Sequence, residues 1–215
     1  KGSRGLEDII QRSAGSRIFV VPFLMGDGHV ARTTLPRALG LDAPLTPPWT
    51  GIVDGRRLTY CRPVGTHPRL ARVVAARAEA ACRAEGLTAS ETSLVLACHG
   101  TSNGAVGEDS EGHQATRIAA FGLFADVQAA YLEQSPGLDQ VLSDLTRPAV
   151  VVDLLAGGGR HVGEDIPDAL ARHTGDLIVH AGAIGDDPAF ADLIIDSVRA
   201  GDDPAGTSRA PRSAA

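Results

Sequence analysis

The chain repeats itself, and that repetition limits its fold more than any single motif. Gly5-Leu6-Glu7-Asp8-Ile9-Ile10 resembles Gly137-Leu138-Asp139-Gln140-Val141-Leu142 at an offset of 132 residues. The same ungapped offset aligns Val20 with Val152, Gly26 with Gly158 and His29 with His161. Past the histidine one residue drops out, since His29 to Pro36 is seven steps and His161 to Pro167 is six. Further on, Gly65-Thr66-His67-Pro68 resembles Gly185-Asp186-Asp187-Pro188, each followed by a helical pattern. Three matches in order make duplication a better reading than chance. The second copy also carries about 44 residues, Ser93 to Pro136, with no counterpart ahead of Gly5. The first repeat is therefore expected to lack its first strand, and the chain is expected to start inside that repeat.

Within each copy, apolar β-rich runs alternate with helical patterns. Strands are expected at Arg17–Phe23, Arg57–Cys61, Ser93–Cys98, Asp126–Tyr131, Ala149–Leu155 and Asp176–Ala181. Continuous apolar runs such as Ala149–Val152 mark strands buried on both faces. Helices are expected at Leu6–Ser13, Pro68–Ala84, His113–Phe121, Leu138–Leu145, Gly163–His173 and Pro188–Ala200. This alternation predicts an α/β fold with parallel sheets, here two similar domains related by duplication. Gly86–Glu91 reads as the boundary, giving a first repeat at 1–88 and a second at 89–200. Leu41–Gly55, with Pro44, Pro47 and Pro48, reads as a long surface loop carrying Trp49. Residues 201–215, rich in Asp, Pro, Gly, Ser and Ala, read as a disordered tail.

Composition narrows the function classes. A net charge of −6 offers no basic stripe for nucleic acid, and 4% aromatic residues offer no stacking platform for bases. Cys61, Cys82 and Cys98 are far apart with no C-x-x-C spacing, so no iron–sulfur ligand set is expected. Free thiols suit a reducing cytoplasm. No apolar run approaches the roughly 20 residues of a membrane span.

Two turns could carry chemistry. Leu94-Val95-Leu96-Ala97-Cys98 runs into His99-Gly100-Thr101, and ligands of parallel sheets bind outside the carboxyl ends of the strands. Gly100 permits a tight turn there. Ala149-Val150-Val151-Val152-Asp153 runs into Gly157-Gly158-Gly159-Arg160-His161 in the same manner. Two histidines at one end of one sheet could face each other across a ligand. A lone histidine after a strand more often only hydrogen-bonds a turn. The glycines could instead cradle a phosphate, although they match neither a P-loop nor G-x-G-x-x-G.

Gly159-Arg160-His161-Val162-Gly163-Glu164-Asp165-Ile166-Pro167 resembles the G-x-H-V-x-E-D-[IL]-P signature of the CbiX-type sirohydrochlorin cobaltochelatases, a class II chelatase family. Leu96-Ala97-Cys98-His99-Gly100-Thr101 is similar to that family's strand ending in H-G-[ST]. Val20-Val21-Pro22-Phe23-Leu24, Gly28-His29-Val30 and Tyr60-Cys61-Arg62-Pro63-Val64-Gly65 extend the likeness, which runs from about Gly5 to Arg199.

The resemblance implies two similar domains facing a central cleft, and a lyase that inserts a divalent metal into a tetrapyrrole without nucleotide. Co²⁺ is the favoured metal, with Fe²⁺ and Ni²⁺ as alternatives. It implies that His99 and His161 bind the metal and accept pyrrole protons, a chemistry neutral imidazole suits near pH 7. Glu164, about one helical turn beyond His161, could orient an imidazole or only stabilise a helix start. Gly100, Thr101, Arg160, Arg117 and His113 are the expected substrate contacts, the arginines for carboxylates.

His29 is a candidate second site, but Val30-Ala31-Arg32-Thr33-Thr34-Leu35-Pro36 lacks the acidic pair, so the first repeat is expected to be degenerate. His67, His173 and His180 are expected to be structural. A non-catalytic tetrapyrrole or metal carrier and a phosphate-ligand protein are the rival readings. Oligomeric state does not follow from these residues.

Overall fold

The computed structural model describes residues 5–100, 110–157, 159–173 and 178–202, which form two compact units. The first comprises the chain up to His67 together with the C-terminal part of the last helix from Ala191; the second runs from Pro68 to Phe190.

In the first unit, α1 (Leu6–Arg12) precedes β1 (Arg17–Val20). A π-helical turn at Val30–Thr34 then runs into the short α2 (Leu35–Ala38). Pro36 lies in the first turn of α2, where its missing N–H leaves no bond unmade. The chain continues through β2 (Trp49–Val53) and β3 (Arg56–Tyr60). The sheet order is β1-β3-β2, with β1 parallel and β2 antiparallel to β3. Ile10, Leu39, Leu41, Leu45, Leu58 and Tyr60 form its core.

The expected loop at Leu41–Gly55 is therefore partly a strand. Trp49 to Val53 is rich in β-forming residues, and Asp54 and Gly55 both take positive φ (49° and 73°), the requirement of a tight hairpin turn. The prolines that suggested a loop all lie before Trp49.

The second unit opens with α3 (Leu70–Ala84), followed by β4 (Ser93–Cys98), α4 (Ser110–Ala119), β5 (Asp126–Tyr131) and α5 (Leu138–Ser143). Next come β6 (Ala149–Asp153), a π-helical turn at His161–Asp165 and α6 (Ile166–Ala171). β7 (Ile178–Ala183) and α7 (Ala189–Asp202) complete the chain's elements. The sheet is parallel throughout in the order β5-β4-β6-β7. Every residue of β4 and β6 is buried, as expected for central strands covered on both faces. Val95, Ala97 and Val151 pack with Leu138, Val141, Leu142, Ile166 and Ala169 of α5 and α6. The alternating residues Leu94, Leu96, Val150 and Val152 are fully buried on the opposite face, where α3 packs on β6 and β7. Among the described residues no helix is long and apolar enough to cross a membrane.

The compact units differ from the sequence repeats. The boundary expected near Gly86–Glu91 falls after α3, yet α3 belongs to the second unit because its stripe of Leu70, Val74, Ala78 and Cys82 is covered there. The end of α7 belongs to the first unit, where Asp202 pairs with Arg17. Gly201 and Asp202, read from sequence as the start of a tail, are helical. Residues 203–215 lie outside the described residues, as do 176 and 177 of the sixth expected strand.

The backbone also corrects the alignment of the repeats. Gly65 donates its N–H to Leu24 (2.9 Å) and Gly185 donates to Leu155 (3.1 Å). A Cβ on Gly65 would collide with the Met25 carbonyl, and one on Gly185 with the Ala156 carbonyl. Arg32 donates to Gly28 (3.0 Å) and Gly163 to Gly159 (2.9 Å), while Val20 pairs with Tyr60 and Val151 with His180. In all four the strand and loop members (Val20/Val151, Leu24/Leu155, Met25/Ala156 and Gly28/Gly159) are offset by 131, not 132, while their partners Tyr60/His180 and Gly65/Gly185 are offset by 120. The N-terminal ends of α1 and α5 keep the offset of 132, so the extra residue lies between helix and strand rather than after the histidine. His29 consequently corresponds to Arg160, and Val30 corresponds to His161. Side-chain identities suggested the other register because they carry no record of which carbonyl each glycine must approach. β1 and β3 correspond to β6 and β7, and the first unit has no counterpart of β4 or β5 among its described residues.

Candidate metal centre

Three side chains meet at the carboxyl end of the four-stranded sheet. β4 delivers His99 one residue past its end, and Gly100 turns the chain away with φ +78°. A Cβ on Gly100 would stand 2.8 Å from Cγ of Gln134, so glycine serves both the turn and the close approach. The β4–β5 ladder continues beyond the strands: Leu132 donates to the Cys98 carbonyl (3.0 Å) and Glu133 to that of His99 (3.1 Å). Glu133 is thereby fixed beside His99. β6 ends at Asp153, and the glycine-containing loop brings His161 back at the first residue of the π-helical turn.

The rings of His99 and His161 stand edge to face, with centroids 4.5 Å apart and planes at 77°. One ligand atom from each of His99, Glu133 and His161 lies within 4.8 Å of the others. That spacing is wider than the roughly 3.4 Å between ligands of a tetrahedral ion at about 2.1 Å. The three side chains are 42%, 42% and 36% exposed, so the set opens to solvent. An ion held by three such groups on one side would keep coordination positions for water or an incoming group.

Each imidazole has one nitrogen committed. His99 Nδ1 lies 3.1 Å from the Gly100 carbonyl, and His161 Nδ1 lies 2.7 Å from Oδ2 of Asp165. His99 Nδ1 also lies 3.9 Å from Oε2 of Glu133. Carbonyl and carboxylate oxygens only accept, so a neutral ring making these bonds holds its proton on Nδ1 and keeps its lone pair on Nε2. Two imidazoles and a carboxylate suit Co²⁺, Fe²⁺, Ni²⁺ or Zn²⁺ without selecting among them.

The sequence-derived site residues fare differently. His99 and His161 come together, and Gly100 shapes the turn between them and Glu133. Glu164 does not reach the imidazole; it is 67% exposed and pairs with Arg160 (3.3 Å), while its neighbour Asp165 meets His161. Arg160 also lies 3.6 Å from Asp165. His113 and Arg117 occupy exposed positions on α4 outside the three-residue set. Thr101 lies outside the described residues. His29 is exposed at the start of the first unit's π-helical turn.

Glu133 was not anticipated from sequence. The available signal was β5 running parallel to β4 in full register, which places the residues after each strand side by side. Asp153 was also missed. It is fully buried, and Nε2 of His180 donates to its two oxygens at 2.8 and 3.0 Å.

The parallel α/β sheet thus carries at its carboxyl end an open two-histidine, one-carboxylate set that could hold a divalent ion of the kind imidazole and carboxylate suit. The chain belongs to the CbiX family, whose sequence model matches residues 3–81 and 93–200, one segment in each repeat. A Halobacterium salinarum protein described as a probable sirohydrochlorin cobaltochelatase is 26% identical over 219 residues, covering 90% of this chain and 75% of its own. The structure of CbiX, described as the terminal enzyme of siroheme biosynthesis in denitrifying bacteria, superposes with a TM-score of 0.70 at 25% identity, covering 87% of this chain and 76% of that one. A multi-domain Deinococcus radiodurans protein with structural similarity to chelatases gives a TM-score of 0.77 at 29% identity over 90% of this chain. This chain spans only 43% of that protein's length. Bacillus subtilis SirB, solved with Fe³⁺, shares the fold with a TM-score of 0.69 at 18% identity.

Proposed function

We propose that this protein inserts a divalent metal into sirohydrochlorin or a closely related tetrapyrrole, with Co²⁺ the favoured metal. The observation that carries the reading is the convergence of His99, Glu133 and His161 on one open point of the sheet edge. The kinship with a described cobaltochelatase supports the metal and the substrate class.

Insertion exchanges one M²⁺ for two pyrrole protons, so charge balances without nucleotide. The ion arrives hydrated, and exchanging waters for two Nε2 atoms and a carboxylate begins its dehydration while keeping it labile on the open side. As the pyrrole nitrogens take the metal, the released imidazoles and Glu133 become free to accept the departing protons. Arg160, exposed at the rim beside His161, is our assignment for a substrate carboxylate. His113 and Arg117 are secondary assignments for the same role. Fe²⁺ or Ni²⁺ would be served by the same ligands.

An absorbance time course with sirohydrochlorin and Co²⁺ tests the proposal against the spontaneous rate. Acceleration that His99→Ala and His161→Ala each reduce at least a hundredfold is expected. Stoichiometric binding of the tetrapyrrole without acceleration would replace the enzyme with a carrier.

A further inference from the structure

Asp165 touches both His161 and Arg160. Its Oδ2 lies 2.7 Å from His161 Nδ1, and its Oδ1 lies 3.6 Å from Arg160 Nε. One carboxylate therefore spans the ligand histidine and the neighbouring guanidinium. The pair stands four steps apart, at the two ends of the five-residue π-helical turn, which places both side chains on the same side of the backbone. Glu164, one residue earlier, is directed to Arg160 and stays 67% exposed.

The first unit supplies an internal comparison. It has the same π-helical turn followed by the same proline in the first turn of a short helix. At the positions of His161 and Asp165 it carries Val30 and Thr34. The turn persists without either member of the pair, so neither is needed to form it. The copy without the imidazole also lacks the carboxylate.

We propose that Asp165 is the positioning residue of the centre: by accepting the Nδ1–H of His161 it fixes that ring's tautomer and rotation so that Nε2 faces His99 and Glu133. This rests on the reading of those three residues as the metal set, and it separates Asp165 from its acidic neighbour. An imidazole without this bond would populate both tautomers and more than one ring rotation. Outer carboxylates that hold a ligand histidine typically contribute 10–100-fold to metal affinity.

The test uses the full chain with Asp165→Ala, Asp165→Asn, Glu164→Ala and Asp168→Ala, read by Co²⁺ affinity and by long-range ¹H–¹⁵N spectra of the His161 ring. Asp165→Ala is expected to weaken Co²⁺ binding 10–100-fold and to convert the single Nδ1–H tautomer into a mixture. Asp165→Asn, whose side-chain oxygen still accepts the Nδ1–H, is expected to restore most of the affinity. Asp168→Ala, on the exposed side of α6, is expected to match the native chain and controls for charge loss in this helix. A native tautomer and native affinity in Asp165→Ala would overturn the proposal, as would a larger loss in Glu164→Ala. If the native chain bound no Co²⁺, the metal-site reading itself would fall, whereas loss confined to insertion with binding intact would leave Asp165 in place and remove only the proposed reaction.

Discussion

Glu133 donates its backbone N–H to the carbonyl of His99 at 3.1 Å, and this one bond joins two ligands of the candidate centre. The carboxylate is thus carried by the sheet rather than by a free loop. Its distance from the imidazole depends on the β4–β5 ladder, which continues past the end of both strands.

A change that disturbs this corner should therefore affect metal binding more than folding. Gly100→Ala combines a positive φ with a Cβ 2.8 Å from Gln134. We predict a stability loss of about 1–2 kcal/mol accompanied by at least a tenfold drop in Co²⁺ affinity. Chemical denaturation and metal titration on the same variant measure both. Glu133→Gln should preserve stability and lose affinity alone.

The corrected register gives His29 no role equivalent to that of His161. His29→Ala is predicted to retain one bound Co²⁺ per chain and native insertion rates, measured by calorimetry and the absorbance time course. His161→Ala should lose both.

Removing His180 should be costly. Asp153 is fully buried and both of its oxygens accept from His180 Nε2. His180→Ala leaves that carboxylate without its partner, at an expected cost of about 3 kcal/mol. The double variant with Asp153→Asn should recover part of the loss. Equal denaturation midpoints for native protein and His180→Ala would refute this account of the pair.

Alkaline stability follows from two buried acids of the first unit. Burial pushes the Cys61 thiol up to about 11, and burial followed by the nearby Asp27 charge pushes the Tyr60 hydroxyl up to about 12. A raised folded value means that the folded state holds its proton more tightly than the unfolded chain. The contribution is complete below the ordinary values of 9.0 and 10.0 and is lost as pH climbs through 11 and 12. Stability should thus fall from about pH 9 upward. Tyr60→Phe should flatten the upper part of that decline, while costing about 1 kcal/mol at neutral pH by leaving the Ala31 carbonyl unpaired. For the same reason Cys61 should resist alkylation at pH 8 until the chain is unfolded.

The strongly apolar runs made the fold legible in the sequence. Ser93–Cys98 forms a strand with the expected bounds, because continuous burial leaves such a run few alternatives. Asp126–Tyr131 also has the expected bounds, although only its last two residues are buried. The helix at Leu70–Ala84 was equally legible from its stripe. β2 was obscured by nearby prolines, and the π-helical turn at Val30–Thr34 carries no apolar periodicity to reveal it. At the site, His99 and His161 were legible because each follows a buried strand. Glu133 and Asp165 were not, since their roles depend on cross-strand register and on a four-residue reach within one turn. The repeat register in the backbone differs by one residue from that of the side-chain identities for a related reason: the constraint lies in backbone contacts of Gly65 and Gly185, which side-chain identity does not report.

The most direct test of the central claim is anomalous diffraction at the cobalt edge from crystals of the full chain equilibrated with Co²⁺. The account predicts one strong peak about 2.1 Å from Nε2 of both His99 and His161, with a Glu133 oxygen completing the protein ligands. A peak at His29, or none bounded by these three residues, would contradict it.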